Sequence, residues 1–237
     1  VCVYSLEMSR EQLIFRMLGQ IADVEPSKIT KGTATEEEMR ALEEASRQLK
    51  ELPICINQRS DIQIDEIRCD ISLRRRQGKC SLAIIDYLQL VNRDDKGQTP
   101  NEAISNITRK AKITAMDEEI PIVLLCQLNR NCETRGTYSF RHQLSDLRDS
   151  GSIEQDADTV AFSRLSVVNI HEDPDTHLPT RGRGTILLAK NRQGELGHVR
   201  FMHNEGVTSF WDDTQPACVR KARAAEPKPK GKGLFEC

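Results

Sequence analysis

The sequence predicts an α/β fold built around a largely parallel sheet. Short runs rich in Val and Ile alternate with longer segments in which apolar residues recur at helical spacing. This alternation is typical of strands that are connected by crossover helices. The length of 237 residues favours one sizeable domain with its own core and leaves little room for a second.

Strands and helices alternate through the first half of the chain. We expect strands at Val1 to Tyr4, in PICIN at 53–57 and in the apolar run SLAIID at 81–86. A first helix is expected at Glu11 to Ala22, and Pro26 breaks the helical pattern after it. A second helix is expected to begin at the capping box of Thr35 and Glu38 and to end near Leu52. A third is expected at Asp65 to Gln77.

The second half continues this alternation and then changes character. Four apolar residues at helical spacing mark one more helix face: Ile104, Ile107, Ala111 and Ala115. The run PIVLLC at 121–126 is expected to be another buried strand, and a strand is expected at Thr159 to Phe162 after a long loop. Residues 184–211 are expected to form two or three antiparallel strands with glycine-containing turns, including NRQG.

Composition narrows the class of protein. The net charge of -2 excludes a polycation that coats nucleic acid indiscriminately, so any contact with DNA must be local. No apolar run is long enough to cross a bilayer and the first residues do not resemble a secretory signal, so we expect a cytoplasmic protein without a membrane span. The eight cysteines never form CxxC, and we interpret them as reduced thiols that pack like small hydrophobes.

Two regions are predicted along the chain. Residues 1–213 form the folded domain, and residues 214–237 form a basic tail that contains several prolines and has almost nothing to bury. We expect this tail to be disordered. It is either a solvated terminus or an electrostatic contact for DNA or a partner.

Polar residues follow the predicted strands at positions where chemistry can occur. Asp86 ends SLAIID, where a carboxylate helps to hold Mg²⁺ in P-loop ATPases, although an aspartate there can also cap the next element. Glu7 can polarise a water molecule or interact with a helix dipole. Gln127 can sense a γ-phosphate or be a surface glutamine. Lys190 and Arg192 can reach the ATP of a neighbouring subunit or form an exposed basic hairpin.

Five sequence segments carry a resemblance to a known family. They occur in the order SLEMS, IIDYLQLV, CQLNR, LSDLRDSGSIEQDAD and AKNRQG. Together they resemble the DnaB-type replicative DNA helicases over about residues 1–211, and the fourth segment is the most specific. The resemblance implies a RecA-like ATPase domain that uses ATP and Mg²⁺. It also implies a homohexameric ring that encircles single-stranded DNA, with ATP bound between subunits.

The resemblance implies a role for each of the strand-end residues. Glu7 corresponds to the catalytic base, Asp86 to the acid that binds Mg²⁺ and nucleotide, and Gln127 to the sensor. Lys190 and Arg192 correspond to a lysine and arginine finger pair that acts on the ATP of a neighbouring subunit.

A loop that grips single-stranded DNA in the ring channel is also implied. It matches Arg148, Asp149 and Gly151. An arginine neutralises a phosphate and a glycine lets backbone N–H groups approach it closely, so the DNA is held without its sequence being read. The alternative is a salt-bridged turn. Arg93, after IIDYLQLV, is a weaker candidate for the channel.

One motif of the family is missing from the sequence. No GxxxxGK[ST] loop is present, and in the family this loop lies immediately upstream of the strand that corresponds to Val1 to Tyr4. We therefore expect this chain to be a fragment that lacks the first strand of the domain, the phosphate loop and the helix after it. The resemblance also implies a primase-recruiting domain that we expect to lie outside this chain, so primase and helicase loader are partners implied for parts outside it.

Two other classes of protein remain open at this point. One is an ATPase-dead helicase remnant that binds DNA or a complete helicase, which the missing loop favours. The other is a recombinase-like or KaiC-like ATPase, which the segment LSDLRDSGSIEQDAD disfavours.

Overall fold

The computed structural model describes residues 1–92, 99–129, 143–147, 150–165, 181–204 and 209–213. Within these ranges it contains a parallel sheet with helices, followed by an antiparallel sheet. The predicted α/β class and the predicted change to antiparallel strands are both confirmed. The predicted tail at 214–237 lies outside the described residues.

The first sheet has four parallel strands in the order β2-β1-β3-β4. They are β1 (Cys2–Ser5), β2 (Cys55–Asn57), β3 (Ala83–Asp86) and β4 (Ile122–Leu124). In the register of β1 and β3, Ser5 lies opposite Asp86. Since parallel strands end at the same edge, the residues after β1, β3 and β4 come together there.

Six α-helices accompany the strands in the described residues. They are α1 (Arg10–Ala22), α2 (Pro26–Lys31), α3 (Glu36–Glu51), α4 (Ile64–Arg76), α5 (Pro100–Asp117) and α6 (Ser150–Asp156). The predicted capping box of Thr35 and Glu38 is confirmed at α3. Helix α2 was not predicted, because Pro26 was interpreted as a breaker, whereas proline suits the first position of a helix.

The core lies between the parallel sheet, α4 and α5. Its largest buried side chains come from these elements and from the turn after β3: Tyr4, Ile67, Ile71, Ile85, Leu88 and Ile104. Cys2 and Cys80 are also buried, and Cys55 and Cys126 pack against the same cluster as reduced cysteines. The interpretation of cysteines as reduced core residues is confirmed for these four.

The second sheet has four antiparallel strands in the order β5-β6-β7-β8. They are β5 (Thr159–Leu165), β6 (Arg183–Asn191), β7 (Gly197–His203) and β8 (Phe210–Asp212). Strand β5 is longer than predicted. The NRQG turn joins β6 to β7 and places Lys190 and Arg192 at one end of this sheet.

The expectation that PIVLLC forms a buried strand is wrong. Val123 and Leu125 are each 43% exposed, because they project from the face of the parallel sheet opposite to the core, where the register neighbours Ile84 and Val3 are also only partly buried. Strand β4 is the edge strand of the parallel sheet as described. Strand β5 is likewise an edge strand of its own sheet. Between the two edges lies a largely apolar cleft of about 720 Å³ that both strands line.

In the part of the chain that the structure describes, no helix combines the length and the apolar character that crossing a membrane would require.

Candidate active site

Three of the predicted site residues meet at the carboxyl edge of the parallel sheet. Asp86 is the last residue of β3, Glu7 follows β1, and Gln127 follows β4. Strand β3 lies between β1 and β4, so Asp86 is central and the other two flank it. Neighbouring strands are about 4.8 Å apart, which suits a ligand that touches all three. This edge is where α/β sheets bind their ligands.

The turn that carries Glu7 is held by short-range contacts. The buried hydroxyl of Ser5 donates a hydrogen bond to the Met8 carbonyl at 2.8 Å, and the Leu6 N–H donates to the Asp86 carbonyl at 2.8 Å. Ser9 then caps α1 through a capping box with Gln12. Glu7 is exposed on this fixed turn, so its carboxylate faces solvent beside the end of β3.

The electrostatics at this edge suit a cation. Partial burial raises the pKa of Asp86, and the negative charge of Glu7 raises it further, while Arg16 of α1 acts in the opposite direction. A partly buried carboxylate that is repelled by a neighbouring carboxylate is stabilised when a divalent ion binds. Mg²⁺ typically takes one or two carboxylates together with substrate phosphates, and Asp86 with Glu7 nearby fits that requirement.

Gln127 is held by a residue that the sequence reasoning missed. The side-chain amide of Gln89 donates to the Gln127 carbonyl at 3.2 Å, and its oxygen accepts from the Gln127 N–H at 3.2 Å. The same amide contacts the sulfur of Cys126 at 3.1 Å. Gln89 therefore fixes the backbone of Gln127, whose side chain is exposed.

Lys190 and Arg192 belong to a separate cluster. The Lys190 ammonium donates to the Glu154 carbonyl of α6. The Arg192 guanidinium donates to the Gln155 carbonyl at 2.6 Å and forms an ion pair with Asp158 at 3.0 Å. These contacts lie on α6 and on the residues after it, so the structure does not bring the pair to Glu7, Asp86 and Gln127.

The predicted DNA-contacting residues are only partly described. Arg148 and Asp149, like Arg93, lie outside the described residues. Gly151 is the second residue of α6 and is exposed, so it belongs to a helix and not to a loop. A Cβ atom at Gly151 would meet nothing within 4 Å, which means that the fold does not require glycine there.

Comparison with known proteins decides the family. The family model described as "DnaB-like helicase C terminal domain" matches residues 1–212. The chain belongs to the DnaB-like helicases. This membership decides against the recombinase-like and KaiC-like alternatives, and it agrees with the five segments that carried the resemblance.

Several replicative helicases are similar in sequence to this DnaB-like helicase chain. A probable replicative DNA helicase of Trieres chinensis is 34% identical over 215 residues, which is 90% of this chain and 46% of the relative. The replicative DNA helicase DnaC of Bacillus subtilis is 33% identical over 213 residues, with 89% and 45% covered. A probable plasmid replicative DNA helicase of Chlamydia psittaci is 35% identical over 210 residues, with 87% and 43% covered. The chain thus spans less than half the length of these relatives.

Two solved structures share the fold of the DnaB-like helicase chain. One, described as a DnaB-like replicative helicase and its interactions with primase, has a TM-score of 0.81 and 26% identity and is matched over 89% of this chain and 50% of its own. The other, described as an ATPase domain, has a TM-score of 0.81 and 27% identity, with 89% and 73% covered. The predicted RecA-like ATPase fold is confirmed.

Proposed function

We propose that this chain is the ATP-hydrolysing motor of a replicative DNA helicase, which translocates on single-stranded DNA as a hexameric ring and unwinds duplex DNA. The observation that carries the proposal is the row of Glu7, Asp86 and Gln127 along the carboxyl edge, with Lys190 and Arg192 held in a separate cluster. A catalytic site that is divided in this way requires two subunits.

The carboxyl edge supplies the groups that act on ATP within one subunit. Asp86 would hold Mg²⁺, which neutralises charge on the phosphates when it is bound. Glu7, exposed on its fixed turn, accepts the proton of the attacking water. Gln127, with its backbone held by Gln89, places its amide where it can contact the terminal phosphate or that water.

Lys190 and Arg192 complete the site of a neighbouring subunit. Their contacts with α6 and Asp158 hold them at the end of the second sheet, in a cluster separate from Glu7 and Asp86 of their own chain. Cations that reach across an interface stabilise the charge that develops on the transferred phosphoryl group. Such a finger accelerates hydrolysis by about 10³ to 10⁵.

The cleft between β4 and β5 supports the presence of a further strand in the intact protein. The Pro121 carbonyl accepts from the Ala83 N–H at 3.1 Å and the Leu125 N–H donates to the Ile85 carbonyl at 3.0 Å. Since peptide groups alternate in direction along a strand, those of Ile122 and Leu124 face the cleft. A strand inserted there would join the two sheets and deliver a phosphate-binding loop to the carboxyl edge.

DNA is proposed to contact the segment that leads into α6. Arg148 would neutralise a phosphate, and Gly151 would let the backbone N–H groups of the segment, which also contains Asp149, approach it without reading sequence. Primase and a helicase loader would bind parts of the intact protein outside this chain. One of the similar structures concerns a DnaB-like helicase and its interactions with primase.

A Glu7→Gln variant of the intact protein tests the proposal. We expect nucleotide binding to be retained and hydrolysis stimulated by single-stranded DNA to be lost, because the amide cannot accept the proton. Glu11→Gln, which changes an acid in the first turn of α1, is the matched control and should hydrolyse ATP normally. Full activity of Glu7→Gln would remove Glu7 from this role. An intact wild-type protein that binds DNA without hydrolysing ATP would instead favour the ATPase-dead remnant.

A further inference from the structure

We infer that Asp158 is a positioning residue for Arg192: it orients the guanidinium that completes the ATP site of the neighbouring subunit. This inference rests on the proposed function of Arg192 as a finger. It concerns a residue that the sequence reasoning did not single out.

Asp158 and α6 hold Arg192 at three points. The Asp158 carboxylate accepts from one terminal nitrogen of the guanidinium at 3.0 Å, and the Gln155 carbonyl accepts from the other at 2.6 Å. The backbone N–H of Arg192 donates to the Asp158 carbonyl at 3.0 Å. A planar group that is held on both terminal nitrogens, with its backbone also fixed, has little freedom to rotate.

Asp158 is itself anchored to a helix of the core. The Lys112 ammonium of α5 donates to the other carboxylate oxygen at 2.5 Å, and this contact holds the pKa of Asp158 below its ordinary value. Two residues earlier, Asp156 of α6 accepts from the buried Thr108 hydroxyl of α5 at 2.6 Å. The Arg192 guanidinium is therefore held in a fixed position relative to α5, which packs on the parallel sheet.

The contribution of this arrangement to stability is expected to be small. The side chains of Asp158 and Arg192 are 52% and 47% exposed, and ion pairs at such exposure contribute little to the free energy of unfolding. What the three contacts supply is orientation. A catalytic group that is misplaced by about 1 Å can lose roughly a hundredfold in rate, so a weak ion pair can have a large effect on hydrolysis.

The chain offers a closely matched control at Asp65. This carboxylate also bridges two cations, Lys110 at 2.6 Å and Arg68 at 3.2 Å, and its side chain is 56% exposed. It lies on α4 and contacts neither Lys190 nor Arg192 among the described residues. Asp65→Asn therefore removes the same charge from a similar ion-pair triad without touching the finger pair.

In the intact protein we expect Asp158→Asn to lower kcat for ATP hydrolysis by about tenfold to a hundredfold with nearly unchanged affinity for ATP. Asp65→Asn should keep the wild-type kcat. In an Arg192→Ala background, Asp158→Asn should cause no further loss, because the group that it orients is already gone. A further loss of similar size would overturn the inference, since Asp158 would then act through something else.

Mixed rings test whether Asp158 acts across the interface. Equimolar Glu7→Gln and Asp158→Asn subunits should regain ATP hydrolysis, because about one interface in four joins a wild-type Glu7 to a wild-type Asp158 when head-to-tail rings mix at random. A parallel mixture of Glu7→Gln with Arg192→Ala calibrates the assay. Recovery in both mixtures supports the inference.

The two remaining outcomes separate the inference from the proposed function. Recovery with Arg192→Ala but not with Asp158→Asn would show that Asp158 serves the site or the folding of its own subunit, and the inference would be wrong. Absence of recovery in the Arg192→Ala mixture would overturn the finger role itself, and the inference with it.

Discussion

Replacing Gly151 by alanine should affect the stability of the fold and the affinity for DNA differently. Gly151 lies in the first turn of α6 with open space where a Cβ atom would be, so the methyl group causes no clash. Alanine is preferred over glycine in a helix interior by about 1 kcal/mol, and near the end of a helix the gain is smaller. The free energy of unfolding should therefore stay the same or rise by up to ~1 kcal/mol.

The affinity for DNA should change in the opposite direction. If a backbone N–H near Gly151 donates to a phosphate, the methyl group stands in the way, and losing a hydrogen bond to a charged group costs about 1.5–3 kcal/mol. This corresponds to roughly a tenfold to hundredfold weaker Kd. The salt dependence should keep its slope, because alanine removes no charge.

The assay is fluorescence anisotropy of a labelled single-stranded oligonucleotide with the intact protein at several salt concentrations, together with urea denaturation. Gly197→Ala is the matched control, because Gly197 is exposed on β7 and also has nothing within 4 Å of its Cβ position. Unchanged affinity in a normally folded Gly151→Ala protein would refute the DNA contact. A loss of stability would show that the space around Gly151 in α6 is not open.

Three further substitutions test other parts of the molecule. Arg148→Ala should weaken binding of single-stranded DNA and lower the slope of log K against log salt by about 0.7; an unchanged slope would argue against a phosphate contact. Gly184→Ala should lower stability by about 1–3 kcal/mol, because its Cβ would lie 2.3 Å from Phe201 and 2.9 Å from the Arg164 carbonyl. Tyr4→Phe should lower it by about 1.5–3 kcal/mol, since the buried hydroxyl donates to Asp70 at 2.9 Å; urea denaturation that matches wild type would contradict either estimate.

Most of the fold could be predicted because its signals are local. The capping box at Thr35 and the apolar run before Asp86 each depend on residues close in sequence, and both predictions are confirmed. The burial of β4 could not be predicted from its own residues, because the exposure of Val123 depends on what covers its face of the sheet. Helix α2 was missed because Pro26 has opposite meanings inside a helix and at its first position.

Some residues of the candidate site could likewise be predicted from the sequence, and others could not. Glu7, Asp86 and Gln127 could be expected to lie together, since parallel strands end at one edge and each residue follows a strand. Gln89 and Asp158 could not be found by pattern, because their contacts join segments that are 38 and 34 residues apart in sequence. Only the packed structure shows which side chain holds Gln127 and which holds Arg192.

Strand separation on a DNA fork is the decisive test of the proposed helicase function. The intact protein, mixed with a forked DNA duplex that carries a fluorophore and a quencher, should separate the strands when ATP and Mg²⁺ are present. The Glu7→Gln variant should bind the same fork without separating it. Strand separation by Glu7→Gln, or ATP hydrolysis by the wild type without any separation of the fork, would contradict the account.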